Sequence, residues 1–331
     1  MPMKIFKKGA LSQANIHDWL VALRAHSYIP FSGYSATAIF RARAGAEDDY
    51  YFAGTNVENI DHRLTTHAEE GAISAMVTAL GRSAEIVEGW VMGAPLEEAD
   101  ANNGAVIARG NGLGSCCGKC RQQIAGFAAD NVKIHSIGLD GARASTTVGT
   151  FLPRPFTFRK YRTDIDSKKS TQSPSAAKIN QRLMRKGDLS TDDILSWLQE
   201  LDSVDYVTQT TQSVALRLSN GVTVAGVGIE EAAFISINAM QSAVSTAVGL
   251  YGDVRITEVW SWAKGRGDHE IPVGSYMALM PSALQTLLPF AKNAHIPIHF
   301  LFAKGKPVTS ELQETIETAL EDGLAALHSR T

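Results

Sequence analysis

Two short segments carry side chains that can do chemistry together, His67-Ala68-Glu69 and Cys117-Gly118-Lys119-Cys120. One imidazole and two thiolates form a borderline-soft donor set that suits Zn2+ and leaves a fourth position open for water. Cys117 and Cys120 are spaced so that both sulfurs lie on one side of a first helical turn. At a helix N-terminus the dipole favours their thiolate form. A dication with two thiolates and a neutral imidazole is electrically neutral, a tolerable charge to bury. His67 and Glu69 diverge by roughly 200° around a helix axis, so they cannot clasp one metal from the side. In a first turn, however, His67 can bind while Glu69 reaches over the open position. Zinc lowers the pKa of a bound water from about 16 toward about 7, and a neighbouring carboxylate is then placed to shuttle protons. Each segment alone has a plainer reading: a solvated helix start for His-Ala-Glu, and a structural zinc knot or a redox pair for Cys-x-x-Cys. A knot needs a fourth protein ligand, and the chain's 3 Cys, at positions 116, 117 and 120, leave no further thiol.

An odd, clustered set of cysteines is a poor disulfide framework and reads as a metal site in a reducing compartment. The 331 residues exceed the usual single-domain size, so two domains are expected, and 44% hydrophobic with 20% charged residues is ordinary for a globular protein. A formal net charge of -3 argues against a nucleic-acid partner, which calls for a basic excess or stripe. Lys7-Lys8 and Lys168-Lys169 are too short for that and read as solvated surface. No apolar run is long enough to span a bilayer, no signal-peptide core follows the basic start, and the cytoplasm is the expected location.

The elements that must position the two segments can be read from periodicity. Ser12 caps a helix over Gln13–His26, with Ile16, Trp19, Leu20 and Leu23 on one face. Tyr34–Arg43 and Tyr50–Gly54 form a hairpin around a polar turn, Ala44–Asp49. Thr65 or Thr66 caps a helix through Glu69, Ile73, Met76 and Leu80, followed by a strand at Ile86–Met92. A polar stretch, Glu97–Gly114, with a short strand at Ala105–Ala108, leads to a helix from near Cys117 to Phe127 and strands at Val132–Ile137 and Ser145–Thr150. Asp164–Ala177 reads as an exposed linker. Short helices at Ala177–Arg185 and Thr191–Leu201 come next. The first order then recurs: a hairpin over Ser213–Ala225 turning at Ser219-Asn220-Gly221, a helix Ile237–Leu250, a strand Val254–Trp262, a helix Pro281–Lys292 and a strand Ile296–Phe302. Ser310–Leu327 is an amphipathic packing helix. This predicts a duplicated α/β chain whose second copy lacks Cys, or else two unrelated α/β domains.

His-x-Glu followed by Pro-Cys-x-x-Cys is a known signature of zinc deaminases, matched here at every position but the Pro. With it the chain resembles the cytidine deaminase family, in its two-domain, homodimeric branch, clearly over Ile29–Pro155 and weakly over Val214–Phe302. The resemblance implies a three-layer α/β/α fold with a mixed sheet, duplicated, the second copy degenerate. It implies a catalytic domain at 1–162, a linker at 163–178 and a zinc-free domain at 179–331. The implied activity is hydrolytic deamination of cytidine and deoxycytidine in pyrimidine salvage, with a free nucleoside and water as reactants. The same chemistry on a modified cytosine nucleoside, a nucleotide or a nucleoside antibiotic is the alternative, and nucleic-acid editing a more distant one. His67, Cys117 and Cys120 would hold zinc, and Glu69 would protonate the ring nitrogen and then the leaving amine. The family's Pro-Tyr-Ser-x-Phe reads Pro30-Phe31-Ser32-Gly33-Tyr34 here, which implies Tyr34 against the pyrimidine. Its Asn-x-Glu reads Asn56-Val57-Glu58, which implies contacts to ribose hydroxyls. Ala68 and Ser115 complete the implied substrate contacts, Ser115 through its carbonyl. Arg121-Gln122 extends the cysteine motif as in the family, while Cys116 replaces the Pro before the first zinc Cys. In the second copy, after Glu230-Glu231-Ala232-Ala233-Phe234, the zinc His and the Glu would fall near Asn238 and Met240.

Overall fold

A three-residue edge strand, β1 (Phe6–Lys8), precedes the first helix, α1 (Gln13–Arg24), and together they set the pattern that the chain later repeats. In this computed structural model, which describes residues 3–44, 49–96, 115–156, 174–201, 210–230, 236–264, 281–302 and 306–328, the first half continues with β2 (Tyr34–Arg43), β3 (Tyr50–Thr55), α2 (Ala68–Leu80) and β4 (Glu85–Pro95). It ends with α3 (Gly118–Phe127), β5 (Ala128–Ile137), β6 (Arg143–Thr147) and a single turn, α4 (Val148–Phe151). The second half begins with α5 (Ala176–Leu183), β7 (Met184–Lys186), α6 (Thr191–Glu200), β8 (Thr211–Leu218) and β9 (Val222–Val227). There follow α7 (Ala239–Tyr251), β10 (Ile256–Lys264), α8 (Pro281–Leu287), β11 (Pro297–Phe302), β12 (Val308–Glu311) and α9 (Leu312–His328).

Most expected elements are present within a few residues of their expected ends, and the differences have local causes. β1 and β7 are too short to show a period and exist because β3 and β9 offer them a free edge. Lys7 is not simply solvated: its Nζ lies 4.1 Å above the Trp19 ring, and burial pulls its pKa down. Ser145–Thr150 is a strand only to Thr147, whose hydroxyl accepts from the Thr150 N–H and turns the chain into α4. Ser310 belongs to β12 rather than to the last helix. Outside the described residues lie the whole Glu97–Gly114 stretch with Ala105–Ala108, most of the Ala44–Asp49 turn, the expected linker up to residue 173 with Lys168-Lys169, and Glu231–Phe234.

The two halves are copies. Their six-stranded sheets run β1-β3-β2-β4-β5-β6 and β7-β9-β8-β10-β11-β12. In each, the first four strands pair antiparallel, the fourth and fifth pair parallel, and the last returns antiparallel. In the first sheet Ala38, Phe40 and Phe52 face the layer of α2 and α3, while Ile39, Tyr51 and Trp90 face Ile16, Trp19, Leu20 and Leu23 of α1. That is helix on both sides of a mixed sheet. In the second copy α6 stands where α1 does and α7 where α2 does. A Cβ on Gly54 would stand 2.3 Å from the Ala72 N of α2, and one on Gly226 would stand 2.2 Å from the Ala243 N of α7, so strand and helix backbones touch at the same place in both.

The side chains repeat too. Lys8-Gly9-x-Leu11-Ser12, Ile16 and Trp19-Leu20 recur with the same spacing as Lys186-Gly187-x-Leu189-Ser190, Ile194 and Trp197-Leu198. On the α1 face of the first sheet, Arg41 pairs with Glu88 at 3.1 Å, Glu88 with His135 Nε2 at 2.8 Å, and His135 Nδ1 with the Ser145 hydroxyl at 2.6 Å. On the second sheet Arg217, Glu258, His299 and Thr309 form the same chain at 3.3, 2.9 and 2.8 Å. A polar string that crosses four strands in both copies, one of them without cysteines, belongs to the scaffold and not to the chemistry. Among the described residues, no helix is long and apolar enough to cross a membrane.

Candidate active site

Two helix N-termini meet at the site. His67 is the extended N-cap of α2 (φ -74, ψ 161) and Cys117 the extended N-cap of α3 (φ -69, ψ 170). This corrects the expectation that Thr65 or Thr66 caps the first of these helices. Thr66 instead exchanges backbone hydrogen bonds with Val57, and Thr65 accepts from the Asn59 N–H. The correction also removes the 200° difficulty: His67 is off the helix, so its ring turns toward α3 while Glu69 sits in the first turn behind it.

His67 Nδ1 lies 3.4 Å from Cys117 Sγ and 3.4 Å from Cys120 Sγ. All three donor atoms fall within 4.8 Å of one another, a metal-ligand grouping to which Cys116 does not belong. Bonds of about 2.3 Å to sulfur and about 2.05 Å to nitrogen, at tetrahedral angles, would separate sulfur and nitrogen by roughly 3.5 Å. The donor set therefore fits zinc in spacing as well as in type. In the metal-free protein the Cys117 thiol is drawn down to about 3, chiefly by the hydrogen bond from Cys120, with His67 adding to the effect. Cys120 retains its proton because it shares that bond and is buried. The hydrogen bond between His67 and Cys117 holds the His67 ring above the ordinary histidine value. Cys116 lies outside this grouping, and burial, with the charge and a hydrogen bond of Glu69 adding to it, pushes its thiol well up.

Glu70, which the sequence reading passed over, ties the two helices together. Its carboxylate is 1% exposed and accepts from the His67 N–H at 2.8 Å, the Gln123 side-chain amide at 2.9 Å and Lys119 Nζ at 3.0 Å. Lys119 lies between the two ligand cysteines and Gln123 one turn beyond, so this carboxylate fixes α3 against the histidine. Three donors offset the cost of burying the charge. Glu70→Gln is expected to weaken zinc binding by about 10–100-fold, the usual effect of losing an outer-shell partner, as measured by competition with a chromophoric chelator.

The implied substrate residues lie on or beside β2 and β3, at the start of α2, which packs on both strands, and at the turn into α3. Tyr34 begins β2 and packs on Gly93 of β4, and burial raises its hydroxyl. Asn56 follows β3, with Oδ1 accepting from the Ala36 N–H at 2.9 Å and Nδ2 donating to the Tyr34 carbonyl at 2.9 Å. One lone pair and one amide hydrogen remain for a ligand. Glu58 Oε2 accepts from the N–H groups of Phe31 and Ser32 at 2.9 and 3.1 Å, fixing the loop before Tyr34. Ala68 is the first residue of α2 with its methyl buried, so its contribution would come from the backbone. The Ser115 hydroxyl accepts from Arg121, which also donates to the Cys116 carbonyl at 2.7 Å and the Phe151 carbonyl at 3.3 Å, wrapping the turn into α3.

No protein-family model matches the chain. Two curated proteins do. One, a cytidine deaminase of Sporosarcina psychrophila, is 30% identical over 133 residues, which is 82% of that protein and 40% of this chain. This chain belongs to the cytidine deaminase family. A cytidine deaminase of Mycoplasma pneumoniae is likewise 30% identical, over 141 residues, which is 91% of it and 43% of this chain. Solved structures that it resembles include cytidine deaminases from Burkholderia pseudomallei (22% identity, 44% of this chain, 100% of that one, TM-score 0.34) and Mycobacterium leprae (25%, 44%, 100%, TM-score 0.32).

The cytidine deaminase relatives span less than half of this chain, the length of one copy. In the second copy the position of His67 is held by Asn238, the N-cap of α7, and that of Glu69 by Met240. Gln241 occupies the place of Glu70 and caps in the same way, accepting from the Asn238 N–H at 3.0 Å. With all 3 Cys in the first half, the second copy has no thiolate to offer a metal.

Proposed function

We propose that this chain is a zinc-dependent hydrolytic deaminase that converts cytidine and deoxycytidine to their uridine forms with release of ammonia, in pyrimidine salvage in the cytoplasm. The observation that carries the reading is the convergence of His67, Cys117 and Cys120 at 3.4 Å spacing with Glu69 in the adjoining helical turn. In this reading residues 1–162 are the catalytic domain, 163–178 a linker and 179–331 a degenerate copy, and the chain works as a homodimer. Zinc on the three donors supplies a Lewis acid that makes water nucleophilic at neutral pH. Glu69 accepts the proton from water, passes one to the ring nitrogen next to the carbon under attack, and later protonates the departing amine. Tyr34 lies against the base, Asn56 and Glu58 hold the sugar hydroxyls, and the Ala68 and Ser115 backbones meet the polar edge of the base. Glu70 and Arg121 keep the ligand turns in register.

The test is a panel of free nucleosides, nucleotides and modified cytosine nucleosides given to metal-quantified protein. Cytidine's ultraviolet spectrum should change to that of uridine with stoichiometric ammonia. An unchanged spectrum over hours with zinc bound would overturn the reading, and faster turnover of a modified nucleoside would move the substrate within the same chemistry.

A further inference from the structure

The degenerate copy has lost its own chemistry, yet its lost site is applied against the first copy's substrate segment. Gln241, at the position of Glu70, keeps the helix-capping half of that residue's task and directs its amide across the interface, donating to the Leu64 carbonyl at 2.9 Å. The Gln285 carbonyl of α8 accepts from the Asn59 side chain at 3.4 Å. Phe290, 2% exposed, sets its ring 4.6 Å from that of Tyr28. Tyr28 in turn holds the segment from its other side: its N–H donates to the Asn56 carbonyl at 3.1 Å and its carbonyl accepts from the Glu58 N–H at 2.8 Å. The run from Asn56 to Thr66, which carries the two proposed sugar-binding residues and leads directly into His67, is thus held by two groups of the second copy directly and by a third, Phe290, through Tyr28. Helices α2 and α7, which follow His67 and Asn238, pack against each other.

We infer that the second copy positions the first copy's nucleoside-binding segment within the same chain, with Phe290 and Gln241 as positioning residues acting through Tyr28 and Leu64 on Asn56 and Glu58. A loop between an isolated bridge and a helix cap has few ladder hydrogen bonds of its own, so its order depends on what it rests against. The inference rests on the proposed substrate roles of Asn56 and Glu58 only for its kinetic consequence. The structural consequence stands alone.

The experiment is amide hydrogen exchange by mass spectrometry on the full zinc-loaded chain, with steady-state kinetics on cytidine alongside. Phe290→Ala and Gln241→Ala should each speed exchange in peptides covering 28–36 and 56–66 by ~10-fold, leaving α3 and β5 at their original rates. KM for cytidine should rise about tenfold with kcat within about twofold, and Phe290→Leu should restore most of both effects. If Phe290→Ala opens the whole fold, Gln241→Ala, which removes only the cap to Asn238 and the bond to Leu64, decides. Exchange at 56–66 that stays unchanged, or that changes no more than exchange elsewhere, overturns the inference. An unmodified chain that leaves cytidine intact would overturn the functional reading while the exchange result still decides this one.

Discussion

Replacing Glu69 by alanine leaves the zinc in place and removes turnover. The two results separate because Glu69 is outside the donor grouping, which His67, Cys117 and Cys120 complete without it. It occupies the first turn of α2, 7% exposed, beside the Cys116 thiol. In the proposed mechanism this buried carboxylate, beside the zinc but not bound to it, carries the protons. General acid–base catalysis by one group contributes typically 10²–10⁴-fold, and this group serves more than one proton transfer, so a loss of about 10⁴-fold in kcat is expected. Metal content measured on the same preparation should stay at one zinc per chain. Glu69→Gln keeps the shape and should be as slow, which separates proton transfer from packing. Near-normal rates in either variant would remove Glu69 from the mechanism.

Cys120→Ala produces the complementary result, with metal, stability and activity lost together. Cys120 is fully buried at the third position of α3 and is one of the three donors grouped among the described residues. Complete zinc sites are worth about 10–16 kcal/mol in small folded domains, so removing a donor from a set of three lowers affinity by orders of magnitude. A ligand that binds only the native state at about 1,000 times its Kd adds about 4 kcal/mol to stability. The melting temperature of the unmodified chain should therefore fall on chelation and recover with zinc, and that of Cys120→Ala should respond to neither. Cys116→Ala is the control. Its sulfur is outside the donor grouping, so zinc content should be retained, and loss of zinc there would reassign the ligand pair.

The parts of this site that are local in sequence were legible, and those that depend on distant contacts were not. His67, Cys117 and Cys120 announce themselves because metal ligands must be particular residue types at helix-start spacing. The Glu70 strut does not, because a glutamate in a first helical turn usually faces water, and only the fold brings it to Lys119, 49 residues away. Gln241 reaches Leu64 across 177 residues, and nothing in its own neighbourhood distinguishes it from an ordinary capping residue. The duplication lies between these cases. Its element order was readable from Ser213 onward, whereas the Lys-Gly-x-Leu-Ser repeat before α1 and α6, which extends the second copy back to β7, stood out only when the two sheets were aligned. The matched Arg-Glu-His strings became visible only when the strand registers aligned them.

By itself, then, the sequence determined the donor chemistry, the absence of thiolates from the second half, and most helices and strands, because each is set by residue type and short-range period. Tertiary structure alone decided that His67 caps its helix from an extended conformation, that Glu70 turns inward, and that the second copy rests on the segment leading into His67. Those outcomes depend on which surfaces meet when two sheets and their helices pack, and packing couples residues that the chain keeps far apart.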